Sequence, residues 1–328
     1  MNSNPLTGRR RGRGSLRRTT WGASAALSAA AVVALGAAAA APAMASTAPS
    51  MNTVGNDTNI AVQGPNHSLH FYWATNGVAG WHPEKIAGTG TTYSAPSMTP
   101  NTGKVDIAVQ GPGHSLDLYW ATDGVAGWHL QRVAGAGTTY SAPSITATSN
   151  DVFIAATGPN HSLDFYWAVD GVAGWHPEQA AGAGTTYSAP SMTAGSGIVV
   201  IAATGASQSL QFYWQALGGA TWNPEQVAGA GTTYSAPSMT ITSGDLFIAA
   251  AGASHSLQFY WQVLGAATWN PEQAAGTGTT YSAPSLTTNS AGAIVSAAGP
   301  GGSLDFYWQL FGAATWNPEQ VAPPGSVG

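Results

Sequence analysis

Residues 140–186 read YSAPSITATSNDVFIAATGPNHSLDFYWAVDGVAGWHPEQAAGAGTT, and this 47-residue unit decides the fold. It holds four short runs of small, apolar or aromatic residues, separated by Gly, Pro, Asn and Asp. Asp170-Gly171, between two aromatic-containing runs, is a strong hairpin signal because both residues tolerate positive φ. The density of Gly, Pro, Thr and β-branched residues argues against helices. The unit therefore predicts four β-strands.

The unit recurs six times at a constant spacing. Its Tyr-Trp pairs begin at Tyr72, Tyr119, Tyr166, Tyr213, Tyr260 and Tyr307. Four strands in a repeat of this length, present six times, are typical of β-propellers. We predict an all-β fold, a single six-bladed β-propeller of four-stranded blades over residues 46–328. The predicted repeats are 46–92, 93–139, 140–186, 187–233, 234–280 and 281–328.

The N-terminal end of the repeat region suggests how the ring closes. The segment YSAPS begins at Tyr93, Tyr140, Tyr187, Tyr234 and Tyr281, and a related STAPS begins one period upstream, at Ser46. We expect the strand from Ser46 to Met51 to complete the sheet of blade 6 and to latch the first and last blades together. The innermost strand suits Ser-Ala-Pro-Ser because it lines a crowded channel.

The first 45 residues have the pattern of an export signal. Six arginines between Arg9 and Arg18 precede an alanine-rich apolar stretch that ends in Ala43-Met44-Ala45. Signal peptidases read such small-residue patterns, so cleavage after Ala45 and secretion of residues 46–328 are expected. The apolar stretch is short and weakly hydrophobic, which disfavours a retained membrane helix. The sequence leaves Sec and twin-arginine export open.

Charge and cysteine content exclude several classes of function. Beyond the leader, Lys85, Lys104 and Arg132 stand against 14 Asp and Glu residues, so the net charge of that part is 3 − 14 = −11. A nucleic-acid surface needs a basic footprint, and attraction to anionic lipids needs one too. We therefore expect neither nucleic acid nor a membrane as partner. The absence of cysteine excludes disulfides and thiolate metal sites.

Signatures of catalysis are absent from the sequence, which contains no GxSxG, HExxH or phosphate-binding loop. We predict a protein without enzymatic activity, cofactor or metal. The turn histidines His67, His114, His161 and His255 come one to a blade, so we interpret them as solvated residues rather than ligands.

A repeated surface of aromatic and neutral polar residues favours carbohydrate binding. Indole rings stack on the C–H faces of sugars, and several weak sites on one ring give avidity. The candidate platforms are the tryptophans that follow each Tyr-Trp pair by eight residues, Trp81, Trp128, Trp175, Trp222, Trp269 and Trp316. Each adjoins a candidate hydrogen-bonding residue: His82, His129, His176, Asn223, Asn270 or Asn317. A further polar partner is expected from the third strand: His70, Asp117, Asp164, Gln211, Gln258 or Asp305.

The repeats fall into two sets. Repeats 1–3 carry Gly-Val-Ala-Gly-Trp-His, whereas repeats 4–6 carry Gln215, Gln262 and Gln309 and a Thr-Trp-Asn end. Two interpretations of this division are open. It reflects either duplication of a three-blade half or two classes of binding site on the two halves of the ring.

The string SLDFYW, followed by Asp-Gly and Trp, resembles the repeat of the six-bladed fucose-binding propeller lectins. In those lectins an arginine ahead of the aromatic pair and a glutamate after the turn hold the sugar. No arginine occupies that first position in this sequence. The residues found there are His70, Asp117, Asp164, Gln211, Gln258 and Asp305. The resemblance thus implies the architecture without implying fucose as the ligand.

The strings GPNHSLDFYW (158–167) and WNPEQVAGAGTTYSAPS (222–238) also resemble propeller repeats of secreted actinomycete proteins. Among these is the lectin subunit of umbrella toxin particles, in which a small adaptor protein holds the propeller. This resemblance implies a second hypothesis beside a free, secreted, multivalent lectin for glycans. In it, the ring is a protein-docking subunit of a larger secreted assembly, such as an interbacterial toxin particle.

Overall fold

The computed structural model describes residues 48–327 except 124, 126, 173 and 243. Six antiparallel four-stranded sheets, or blades, follow one another along the chain and are arranged in a ring. This confirms the predicted six-bladed β-propeller. Within every blade the strands pair in chain order, first to second to third to fourth. Among the described residues, no helix has the length and apolar character needed to span a membrane.

The first strands of adjacent blades contact one another, so they lie innermost. They are β1 (Ser50–Val54), β5 (Ser97–Asn101), β9 (Ser144–Ala147), β13 (Ser191–Gly195), β17 (Ser238–Ile241) and β21 (Ser285–Thr288). The second strands are β2 (Asp57–Gly64), β6 (Lys104–Gln110), β10 (Asp151–Thr157), β14 (Ile198–Thr204), β18 (Asp245–Ala251) and β22 (Gly292–Ala298).

The third strands carry the Tyr-Trp pairs and the fourth strands form the outer edges. The third strands are β3 (Ser68–Thr75), β7 (Leu116–Thr122), β11 (Leu163–Val169), β15 (Leu210–Ala216), β19 (Leu257–Val263) and β23 (Leu304–Leu310). The fourth strands are β4 (His82–Ala87), β8 (His129–Ala134), β12 (His176–Ala181), β16 (Asn223–Ala228), β20 (Asn270–Ala275) and β24 (Asn317–Ala322). Proline in five of these outer strands suits an edge, where its missing N–H does not interrupt a ladder.

Alternation along the third strand makes both faces of each blade apolar. In blade 3, Leu163 and Phe165 face blade 4, where they pack in one cluster with Ile201 and Tyr213. Tyr166, of opposite orientation, belongs to the cluster shared with blade 2. Equivalent clusters fill the junctions between blades 1 and 2, 4 and 5, and 5 and 6. Burial of apolar side chains from both partners therefore holds neighbouring blades together.

A serine near the axis adds a polar link at each of these five junctions. In blade 4, Ser191 Oγ accepts a hydrogen bond from the N–H of Met239 in blade 5, at 2.9 Å. The equivalent serines are Ser50, Ser97, Ser144 and Ser238, each bonded to the inner strand of the following blade. Small inner-strand residues let the strands approach closely enough for this bond.

Short 3-10 turns join the second and third strands of blades 1–5. In blade 3 the turn is Pro159–His161, with Asn160 and His161 at positive φ. The ring of His161 stacks on that of Tyr187, with centroids 4.4 Å apart. The turn histidines of blades 1, 2 and 5 stack in the same way on Tyr93, Tyr140 and Tyr281.

The predicted latch is wrong. Strand β1 pairs with β2 of its own blade, from Ser50 opposite Ala61 to Val54 opposite Asp57. Blade 6 needs no donated strand, because β21 follows its own YSAPS segment and pairs with β22. The physical reason is local, since a strand joined to the next by a tight turn forms that hairpin before any distant pairing. Residues 46 and 47 and the predicted leader, residues 1–45, lie outside the described residues.

The junction between blade 6 and blade 1, which we call the seam, differs from the other five. Met51 is 68% exposed, whereas its counterpart Met98 is 7% exposed. On the other side of the seam, Leu304 is half-buried, whereas its counterpart Leu257 is fully buried. The apolar faces at the seam are thus not covered as they are at the other junctions.

We predict that Ser191→Ala lowers the free energy of unfolding by on the order of 1–2 kcal/mol, because the N–H of Met239 loses its acceptor inside a packed junction. Urea denaturation followed by circular dichroism measures this loss. Ser285→Ala is the matched control: Ser285 is exposed at the seam, so its removal should change stability by less than about 0.5 kcal/mol. Equal effects of the two substitutions would contradict the role given to the junction serines.

Candidate functional site

Clefts lie between adjacent blades at the end where the third and fourth strands are joined. The cleft between blades 1 and 2 has a volume of about 380 Å³. Its described walls carry two indoles, from Trp73 and Trp128, and three carboxylates, from Asp57, Glu84 and Asp123. Clefts of about 430 Å³ and about 200 Å³ occupy the corresponding places between blades 2 and 3 and between blades 4 and 5. The repeat thus builds one kind of concavity several times.

A glutamate bridges two tryptophans across the cleft. Glu84 Oε1 accepts the indole N–H of Trp73 in its own blade at 3.1 Å, and Glu84 Oε2 accepts that of Trp128 in blade 2 at 3.0 Å. The same bridge recurs at Glu178, Glu225 and Glu272. Since each carboxylate oxygen has two acceptor directions, the bridge leaves further acceptor capacity beside the indoles.

The second tryptophan of four repeats packs between its own blade and the preceding one, and we call it the wedge tryptophan. The indole of Trp222 meets the ring of Phe165 in blade 3 edge to face, with centroids 4.9 Å apart. Trp128, Trp269 and Trp316 make the same contact with Phe71, Phe212 and Phe259. These indoles are half-buried, so they present an edge rather than a whole face to solvent. Trp81 is the exception at 41% exposed, because its face of blade 1 borders the seam.

The residue after this tryptophan supports the Tyr-Trp indole of its own blade. The rings of His82, His129 and His176 stack on Trp73, Trp120 and Trp167, with centroids 4.1–4.2 Å apart. In blades 4–6 the amides of Asn223, Asn270 and Asn317 instead donate to the carbonyl groups of Trp214, Trp261 and Trp308. One face of the Trp73-type indole is therefore covered by protein in the first three blades.

The cleft between blades 2 and 3 is polar and lacks the bridge. Gln131 takes the place of the glutamate, and the indole N–H of Trp175 is buried without a hydrogen-bond partner among the described residues. Lys104 forms an ion pair with Asp170 across the junction, Nζ to Oδ1 2.8 Å, and its ammonium lies 5.5 Å from the ring centroid of Trp120.

Asp106 lies at the floor of the same cleft and is 3% exposed. Burial raises the pKa of Asp106 to about 6 from an ordinary value of 3.8. The Asn101 amide, which donates to Oδ2 at 2.9 Å, and Lys104 oppose this rise in pKa, and the charge of Asp170 adds to it. The carboxyl group therefore changes charge in the mildly acidic range.

The clefts formed by the second set of repeats are narrowed by protein groups, although the one between blades 4 and 5 keeps a volume of about 200 Å³. Gln215 and Gln309 donate to the bridging carboxylates of Glu178 and Glu272 at 3.2 and 3.0 Å. At the position of Asp123 and Asp170, the later repeats carry Leu217, Leu264 and Phe311. Leu217 and Leu264 pack against the junction clusters. The sequence division between repeats thus corresponds to two kinds of cleft, one wide and polar, the other narrower and apolar.

The structure brings together only part of the predicted site. Of the second tryptophans and their His or Asn neighbours, Trp128, Trp175 and His129 line the clefts. The third-strand class lies elsewhere, near the start of that strand. Asp164 accepts from Ser162 Oγ at 3.0 Å, and a Cβ on Gly158 would collide with its carboxylate, so it sits tightly under the 3-10 turn.

The other members of that class occupy the same place. Gly64, Gly111, Gly205, Gly252 and Gly299 lie in the same way against His70, Asp117, Gln211, Gln258 and Asp305. Three positions along a strand, roughly 10 Å, separate Asp164 from Trp167, the strand partner of His176. None of the three clefts is lined by a residue of this class. A ligand role for these residues stays a prediction.

The bridging glutamates were not among the residues predicted from the sequence. A signal was present: all five glutamates of the chain, Glu84, Glu178, Glu225, Glu272 and Glu319, occupy one repeat position, although only 7% of residues are charged. A carboxylate kept at one place in a charge-poor repeat indicates a fixed partner. Within the described residues, no group of three or more His, Cys, Asp or Glu side chains is arranged to hold a metal ion.

Comparison with known proteins supports the fold. The sequence matches no protein-family model and no curated protein. Among solved structures, the BP39L lectin of Burkholderia pseudomallei is similar with a TM-score of 0.76 and 20% identity, over 85% of each chain. AofleA of Arthrobotrys oligospora follows with 0.60 and 12%, over 85% of this chain and 87% of its own.

The Aleuria aurantia lectin, described as a six-bladed β-propeller with a novel fucose recognition mode, gives a TM-score of 0.57 at 12% identity. The match covers 85% of this chain and 95% of that lectin. At these identities the similarity establishes the shared propeller architecture.

We predict that Glu178→Ala lowers the free energy of unfolding by on the order of 2–4 kcal/mol, because the N–H groups of Trp167, Trp222 and Gln215 lose their acceptor. Urea denaturation followed by tryptophan fluorescence measures the loss. Glu319→Ala is the control, since exposed Glu319 bonds to Trp308 at the seam and should contribute less than about 1 kcal/mol. A Glu178 variant as stable as the Glu319 variant would contradict the bridge.

We predict that the protein loses stability as the pH rises from about 4 to about 6, by on the order of 1–3 kcal/mol through Asp106. The native state binds a proton there that the unfolded chain has released, so deprotonation of the buried group favours unfolding. Asp106→Asn should flatten this part of the curve of melting temperature against pH. Asp123→Asn, the same change at an exposed carboxylate, should leave it intact; an unchanged slope in Asp106→Asn contradicts the assignment.

Proposed function

We propose that this protein is a lectin-like carbohydrate-binding propeller and that neutral sugars bind in the open clefts of its first three blades. The observation that carries the proposal is the cleft between blades 1 and 2. There Glu84 lies between two indoles, with Asp57 and Asp123 on the same walls. Its described lining contains no Lys or Arg.

The chemistry of this lining suits a neutral polyhydroxylated ligand. Carboxylates accept charge-assisted hydrogen bonds from hydroxyl groups, and indole edges and faces receive apolar C–H groups. An anionic ligand would be repelled by three carboxylates, and a purely apolar one would leave them desolvated. The lectin architecture of the structural neighbours supports the same ligand class. The proposal assigns the protein no catalytic step.

Binding in the open clefts gives modest affinity at each site. Two clefts on one rigid ring that reach the same glycan surface convert such affinities into avidity. Trp128 and Trp175 enter this proposal as cleft walls, and the histidines after the second tryptophans as supports that hold the Tyr-Trp indole in place.

A glycan array, followed by calorimetric titration with its best neutral oligosaccharide, tests the proposal. We expect Glu84→Gln to weaken binding about tenfold or more in its cleft, since an amide replaces a bridging and hydroxyl-accepting oxygen. Trp128→Ala should do the same by removing a wall. Glu272→Gln, the same change in a narrowed cleft, should leave binding intact. Silence of the whole array, or equal losses in the Glu84 and Glu272 variants, would contradict the proposal.

Secretion enters as a further proposal, with cleavage after Ala45. Sequencing the N-terminus of protein recovered from culture supernatant tests it, and a chain that does not begin at Ser46 contradicts that cleavage site. We keep as a second hypothesis a protein-docking subunit of a larger secreted assembly, such as an interbacterial toxin particle; the exposed apolar faces at the seam support protein docking alone.

A further inference from the structure

In blades 2–6, one set of apolar residues is buried against the preceding blade. The equivalent residues of blade 1 face the seam and are more exposed. Met51 is 68% exposed, and its five counterparts are at most 8% exposed: Met98, Ile145, Met192, Met239 and Leu286. Ile60 is half-buried, while its counterparts Ile107, Ile154, Ile201 and Ile248 are fully buried. Tyr72 differs from the buried Tyr119 in the same way. Blade 1 therefore has one uncovered apolar face.

Blade 6 exposes the opposite half of the same junction. Phe306 is half-buried, whereas the equivalent Phe165, Phe212 and Phe259 are at most 2% exposed. Val321 on its outer strand is 61% exposed. Contiguous exposed apolar faces of this kind mark interaction surfaces in soluble proteins.

The polar groups that join neighbouring blades elsewhere are also present at the seam, Glu319 on blade 6 and Trp81 on blade 1, but they do not bond to each other. Glu319 accepts the indole N–H of Trp308 at 3.1 Å, as every bridging glutamate does within its blade. At four other junctions the second glutamate oxygen accepts from the wedge tryptophan of the next blade. The equivalent tryptophan at the seam, Trp81, is 41% exposed. Each side thus offers what a neighbouring blade would complete.

Blades 6 and 1 do not meet as the other neighbouring blades do, and we attribute this to space for one more blade. The Aleuria aurantia lectin, with six blades, is covered to 95% but superposes with a TM-score of 0.57. BP39L superposes with 0.76, although 15% of that lectin lies beyond the match. Since 85% of 328 residues, about 279, correspond to 85% of BP39L, about 49 of its residues are unmatched. That remainder is close to one 47-residue repeat.

We propose that the seam binds a blade-sized β-sheet of a partner protein, which completes the ring as a seventh blade. The five packed junctions specify its chemistry. Toward blade 6 it presents aliphatic side chains to Leu304 and Phe306 and an indole N–H to Glu319. Toward blade 1 it presents a phenylalanine or leucine and a carboxylate to Trp81. Apart from that carboxylate the partner's two faces carry no charge, and it binds mainly by apolar burial. This interaction is independent of carbohydrate binding in the clefts.

A second copy of this chain fits the seam less well than a separate sheet. Blade 1 of the second copy has the face that complements blade 6 of the first copy. Blade 2 of the second copy would then extend toward blade 1 of the first copy. Such a head-to-tail contact forms an open spiral rather than a closed ring. A single four-stranded sheet covers both exposed faces at once.

The absence of cysteine makes the seam directly measurable. In the chain that begins at Ser46, we expect Met51→Cys to react with a maleimide about tenfold or more faster than Met98→Cys, the buried control. A seven-repeat variant, with a copy of residues 234–280 joined after Val327, should slow Met51→Cys to the rate of the control. The same 47 residues coexpressed as a separate chain should be retained at one-to-one stoichiometry and give the same protection.

Each of the other occupants has its own result, and each overturns the proposal. Slow labelling of Met51→Cys in the monomeric six-repeat chain, with rapid disulfide formation in a Met51→Cys and Ser285→Cys double variant, means that blade 1 closes on blade 6. Protection that depends on protein concentration means a second copy. Protection seen only in chains that retain residues 1–45 means the leader. A seventh repeat joined after Val327 that leaves Met51→Cys reactive means that the seam accepts no blade.

Discussion

The structure depends on one constraint: each blade is a sheet with two apolar faces, and both faces must be covered. Phe165 and Tyr166 are adjacent in sequence, yet they point to opposite neighbours, so a blade is stable only when other blades cover its two faces. Stability then comes mainly from junctions between successive blades, as in other repeat architectures. The twist of each sheet turns the stack around an axis, and the inner strands must be small enough to converge there. Junctions, clefts and seam all follow from this arrangement.

The bridging glutamate connects that architecture to the proposed function. A junction wide enough for two indoles brings two N–H groups into a partly buried space, and each needs an acceptor. One carboxylate serves both, which is why Glu178 links Trp167 to Trp222. The same oxygens have further acceptor directions toward the cleft. Holding the blades together and facing a ligand are therefore properties of one side chain, so substitutions there affect stability and binding together.

Local sequence patterns were sufficient to predict the strands and the blade count. The run SLDFYWAV became β11, Leu163–Val169, because alternation and turn residues act within a few positions. The latch failed because it required a strand to leave its own hairpin. The placement of Asp164 under Gly158 depends on the shape of the 3-10 turn, which composition does not encode. The bond from Trp128 to Glu84 joins residues 44 apart in different blades, so only the packing of one blade on another reveals it.

The two sets of repeats show how one architecture produces both wide and narrow clefts. In repeats 4–6 a glutamine replaces the alanine of repeats 1–3, and an apolar residue replaces Asn76, Asp123 or Asp170. These changes act on the same space. Gln215 takes up acceptor capacity of Glu178, while Leu217 fills the volume beside it. Duplication of a three-blade half explains why the changes occur together. The geometry gives them a consequence: side chains of the second half narrow its clefts, and the larger, polar clefts lie in the first half.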